Sequence, residues 1–116
     1  MSKLDPKVVL GLVENDCSFA ESLIDKVFET LESDIKDLQD LLAKGDFENL
    51  EINAHSIKGA SRIFGPSKFM DVSYLLECAA SEKDSEACKI HLKNVVEEKS
   101  QFCELLNELR KEIAKM

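Results

Sequence analysis

The chain has 116 residues, enough for one hydrophobic core and too few for two domains. Hydrophobic residues make up 44% and charged residues 33%, a balance that excludes a disordered chain, while four glycines and two prolines leave room for long helices. The net charge of −8 argues against nucleic acid and against an anionic membrane surface, which both need clustered Lys and Arg, and is explained by plain solubility.

Asp5-Pro6 marks a helix start, a capping residue followed by Pro at the first helical position. The short helix it opens is expected to run to about Val13, where Glu14-Asn15-Asp16 breaks it. Ser18-Phe19-Ala20-Glu21 then spells a capping box. Apolar steps of three and four follow at Leu23, Val27 or Phe28, Leu31, Ile35, Leu38 and Leu42, predicting a long amphipathic helix that ends at Gly45.

Asp46 caps a third helix with the apolar face Leu50, Ala54, Ile57, Ser61 and Phe64, and Gly65-Pro66 stops it. A fourth helix from about Ser67 buries either some of Phe69, Val72, Leu76 and Ala80 or the adjacent set Met70, Tyr74 and Leu75. Lys83-Asp84-Ser85 is the last turn of the chain. A fifth helix from about Ser85 carries Leu92, Val95 or Val96, Phe102, Leu106, Leu109 and Ile113 and continues almost to Met116. No segment alternates as a strand would. The expected fold is all-α, an antiparallel four-helix bundle with a short additional N-terminal helix, forming one domain over residues 1–116.

No apolar run approaches membrane-spanning length, and the polar N-terminus lacks a signal peptide's apolar segment. Cys17, Cys78, Cys88 and Cys103 form no C-x-x-C pair and lie in helical patterns mostly beside core positions. They read as free thiols, and the expected location is cytoplasmic. The starting Met and compact ends fit a free protein more readily than a cleanly excised domain.

The third helix holds the most informative run, Ala54-His55-Ser56-Ile57-Lys58-Gly59-Ala60-Ser61. Lys58 and Gly59 stand three and four residues after His55, so they share its helix face. That face joins a nucleophilic imidazole, a positive charge and a patch without a side chain, a combination suited to accepting and passing on a phosphoryl group. Residue 55 is rotated about 100° from Ala54, which places it on a polar stripe with Glu51, Lys58 and Arg62. The plainer reading is an ordinary surface histidine. Against it stands Gly59, which costs about 1 kcal/mol relative to Ala in a helix interior and implies a need for the missing side chain.

These residues resemble the signature of histidine phosphotransfer (HPt) domains: His, any residue, an aliphatic, Lys, Gly, two small residues, and a Gly where the helix ends, here Gly65. Ile57 stands where Leu is usual, and Pro66 where a small residue is commoner. The family also carries an acidic or amide residue about one helix later, which Glu77 matches by spacing. The resemblance extends in helix number and order over nearly the whole chain.

The resemblance implies a phosphorelay intermediate that takes a phosphoryl group from a receiver-domain aspartate and hands it to another receiver. His55 would be the phosphoacceptor, attacking through Nε2. Lys58 would offset phosphoryl charge, and Glu77 would accept a hydrogen bond from Nδ1–H. Gly59 would admit the receiver's loops, with Arg62 and Ser56 at the same partner-facing surface, although both also read as ordinary solvated helix residues. The implied partners are response-regulator receiver domains and a hybrid sensor histidine kinase, and the expected state is a monomer. Mg²⁺ would come with the receiver, so no cofactor is expected in this chain.

No metal site is expected either. Glu51 and His55 at i, i+4 lack a third ligand, and Cys88 with His91 is a weaker pair still. His91 reads as a partly exposed helix residue. Without a Gly-rich phosphate loop, the chain is expected to be a phosphocarrier with no autokinase activity, not an enzyme. The main alternative is a helical binding module that docks receivers without phosphotransfer. A metal or redox protein using His55, Glu51 and Glu77, or the cysteines, is a third class.

Overall fold

A computed structural model describes residues 3–116; Met1 and Ser2, the first two residues of the expected domain, lie outside them. Five helices follow in order: α1 (Pro6–Leu12), α2 (Cys17–Lys44), α3 (Phe47–Arg62), α4 (Lys68–Ser81) and α5 (Ser85–Ala114). Among the described residues there is no strand, so the chain is all-α.

Each helix begins at a side-chain cap. Asp5, Asp16, Asp46, Ser67 and Asp84 accept backbone N–H bonds that the first helical turn leaves free. Asp46 also accepts from the Asn49 side chain, and these two bonds from Asn49 hold the Asp46 carboxyl below its ordinary pKa of 3.8. α2 begins two residues earlier than the Ser18 capping box implies. Asp16 is the cap, because its carboxylate accepts from Phe19 N–H at 3.0 Å and Cys17 is already helical.

The ends differ more than the starts. α2 stops where the sequence indicates, with Gly45 left-handed at φ +70° and its N–H turned back onto Leu41 and Leu42. α3 stops at Arg62, ahead of Gly65-Pro66. Ile63 and Phe64 form a turn first, and Gly65 then takes φ +100°. Phe64 is fully buried there, which anchors the turn.

α2 packs on α3 and α5, and α4 packs on α3 and α5, so these four helices enclose one core. α1 lies on α2 and α5. The 30 residues of α5 span about 45 Å at 1.5 Å per residue, matching the 45 Å long axis of the molecule. α3 buries Leu50, Ala54, Ile57 and Ser61, the expected stripe. α4 buries Phe69, Val72, Leu76 and Ala80 and turns Tyr74 and Leu75 outward. Phe69 stacks on Phe102 of α5, with ring centroids 4.6 Å apart. α2 buries Ala20 and Ile24 and leaves Leu23 partly buried at the margin of the core, the rotation its packing on α3 and α5 sets. The four cysteines are free. Cys88 is buried and the others are partly so.

Candidate functional site

The face of α3 opposite its buried stripe carries the histidine. Ala54 and Ile57 point into the core, and the 100° rotation per residue turns His55 out, leaving its side chain 65% exposed. Lys58 leans towards α4 and is 19% exposed. α4 supplies Glu77, one position after the fully buried Leu76, with its side chain 18% exposed.

Glu77 meets both α3 residues. Its Oε2 lies 2.9 Å from His55 Nδ1, and its Oε1 lies 2.7 Å from Lys58 Nζ in an ion pair. Burial favours the neutral acid, but the pairing with Lys58 and His55 outweighs it and brings the carboxyl below its ordinary value of 4.5. An ionised carboxylate can only accept, so the ring nitrogen facing it carries the proton. In a neutral ring, the lone pair then sits on Nε2, which has no hydrogen-bond partner among the described residues.

Tyr74, one turn before Glu77 on α4, completes this surface. Lys58 Nζ sits 5.0 Å from the centroid of its ring, within the range of a cation–π contact. A hydrogen bond with Cys78 pushes its phenol pKa above the usual 10.0. By sequence, Tyr74 stands only in an alternative core set for α4. The available signal was its spacing of three from Glu77, which puts ring and carboxylate on one helix face.

The remaining sequence-selected residues surround this group. A Cβ built on Gly59 meets nothing within 4 Å, so the α3 surface is open there. Ser56 turns away from Glu77 and lines a groove of about 380 Å³ with Asp34, Asp37, Asn53, Ile57 and Ala60. Arg62 is exposed near the end of α3, with no ion pair among the described residues. Among those residues no three His, Cys, Asp or Glu side chains converge as a metal cluster would require. His91 is partly buried on α5. No described helix is long and apolar enough to cross a membrane.

The arrangement can therefore hold an imidazole in one tautomer with its other nitrogen presented outward and a cation alongside. A family model described as the Hpt domain matches residues 22–115, which include all of α3, α4 and α5 and most of α2. No curated protein and no solved structure matches the chain.

Proposed function

The chain belongs to the Hpt domain family, and from that premise we propose that it serves as a phosphorelay intermediate with His55 as the carrier. The observation that supports this reading best is the contact between His55 Nδ1 and Glu77 Oε2, which leaves Nε2 unengaged on an exposed ring.

The chemistry follows from that contact. The Nε2 lone pair attacks the phosphorus of a receiver's aspartyl phosphate. The N–P bond forms as the P–O bond to the aspartate breaks, and the electron pair leaves with the carboxylate. Spending its lone pair makes the ring positive while Nδ1 keeps its proton, and the Glu77 carboxylate stabilises that charge. Lys58 places an ammonium group beside the incoming phosphoryl oxygens. The reverse of these steps loads a second receiver. Phosphoryl transfer of this kind depends on positioning and charge stabilisation.

In this reading Gly59 provides clearance for the receiver, with Arg62 and Ser56 at the edges of the contact. Mg²⁺ is assigned to the receiver's own acidic cluster. The partners are response-regulator receiver domains, fed by a hybrid sensor histidine kinase. The protein acts as a cytoplasmic monomer, a carrier without autokinase activity, folded as a single domain over residues 1–116. We read the mutual packing of α2, α3, α4 and α5 as an antiparallel four-helix bundle.

The test is incubation with a receiver phosphorylated on its aspartate. Acid-labile, alkali-stable label is expected on this chain and not on His55→Gln. Full labelling of His55→Gln would overturn the assignment.

A further inference from the structure

Lysine is a flexible point charge on a four-carbon stem, so a fixed position needs partners. Lys58 has two, both on α4: Glu77 Oε1 at 2.7 Å and the Tyr74 ring at 5.0 Å. Tyr74 is 51% exposed and takes no part in the buried face of its helix, which is made by Phe69, Val72 and Leu76. Packing alone does not account for a large ring at this position.

Glu77 Oε1 is itself out of reach of solvent, and the Lys58 ammonium is the group that neutralises it. If Lys58 swung away, that oxygen would be left buried and uncompensated. The carboxylate would then have to turn, carrying Oε2 away from His55 Nδ1. The placement of Lys58 thus bears on His55 through Glu77: it keeps Oε2 on Nδ1.

We propose that Tyr74 is a positioning residue for phosphoryl transfer, its ring face holding the Lys58 ammonium against Glu77. This role rests on the phosphotransfer reading given above. It requires the aromatic face and not the hydroxyl, so phenylalanine fulfils it and leucine does not.

The experiment compares wild type, Tyr74→Phe, Tyr74→Leu and His55→Gln. Phosphoramidate is the first phosphoryl donor, releasing ammonia as the N–P bond to His55 forms, and a phosphorylated receiver is the second. The NMR shifts of the Lys58 Cε protons are read in parallel, because a ring face moves protons above it upfield. Tyr74→Leu is expected to take up phosphoryl from phosphoramidate about two- to fivefold more slowly, the range of an exposed cation–π contact. Tyr74→Phe is expected to match wild type. The upfield shift is expected in wild type and Tyr74→Phe and absent in Tyr74→Leu.

Equal uptake by Tyr74→Leu and wild type would overturn the proposal, as would equal slowing by Phe and Leu. A defect seen with the receiver but not with phosphoramidate would also overturn it, and would make Tyr74 a docking contact. If wild type takes no label from either donor, the phosphotransfer reading fails. The Lys58 shift then still decides whether Tyr74 holds the ammonium.

Discussion

His55 and Glu77 lie on different helices, and the 2.9 Å contact between Nδ1 and Oε2 ties α3 to α4 at the candidate site. Removing the carboxylate is expected to free the ring to exchange tautomers. Glu77→Ala should slow phosphoryl uptake tenfold or more, roughly the worth of a hydrogen bond to a charged group, about 1.5–3 kcal/mol. Glu77→Gln keeps an acceptor but loses the charge, and should fall between. ¹⁵N shifts of the His55 ring check the cause: one tautomer in wild type at pH 8, a mixture in Glu77→Ala. The Glu77 carboxyl is held below its ordinary value of 4.5, so at pH 8 it is ionised and able to accept from Nδ1–H in wild type.

Gly59 gives a test in which stability and function move in opposite directions. A new side chain there meets open space, and a helical Gly is about 1 kcal/mol worse than Ala. Gly59→Ala is thus expected to raise stability by up to about 1 kcal/mol in urea unfolding. Gly59→Gln should fold equally well yet slow transfer from a receiver markedly, while uptake from phosphoramidate stays near wild type. Unchanged transfer from the receiver would remove the docking role assigned to Gly59.

Arg110 ties α5 to α2. Its Nε donates to Asp25 Oδ1 at 2.9 Å, and Glu21 adds a looser contact at 3.7 Å. The hydrogen bond from Arg110 holds the Asp25 carboxyl below its ordinary value of 3.8. A depressed carboxyl stabilises the fold above its unfolded pKa, and that gain is lost as pH falls through the folded one. Asp25→Asn should therefore melt below wild type at pH 7, with the gap closing at pH values below 3.8. Both groups are exposed, so added salt should narrow the gap as well.

Two adjacent leucines test the rotation of α4. Leu76 is fully buried and Leu75 is 44% exposed. Leu76→Ala is expected to cost about 2–5 kcal/mol in chemical denaturation, and Leu75→Ala less than about 0.5 kcal/mol. Equal losses would mean that α4 is rotated from the position described.

The helices were legible because short polar caps and spaced apolar residues mark them locally: Asp5, Asp46, Gly45 and the stripe Leu50, Ala54, Ile57 and Ser61 stand as expected, while Phe64 is buried in the turn beyond α3. Phase was harder to read where two apolar residues adjoin. Leu23 and Ile24 both fit a helical stripe, and the packing of α2 on α3 and α5 chooses between them. Asp16 was hidden by the Ser18 capping box, since both sites satisfy the local pattern. At the site, spacing pointed to Glu77 but did not indicate its second partner. The reach of Lys58 to Glu77 and Tyr74 depends on how closely α3 and α4 approach, which neither helix specifies by itself.

His55 has residues 47–54 of α3 before it and 56–62 after it, and Glu77 is a full turn inside the end of α4. Helix ends fray first, and that motion is confined to the outermost turns. It does not reach the backbone that carries the ring and the carboxylate, so the two Cα positions stay in register while the side-chain contact itself can open and close by rotation. Hydrogen exchange at the amides of His55 and Ser56 will report how rarely the α3 backbone beneath that contact opens.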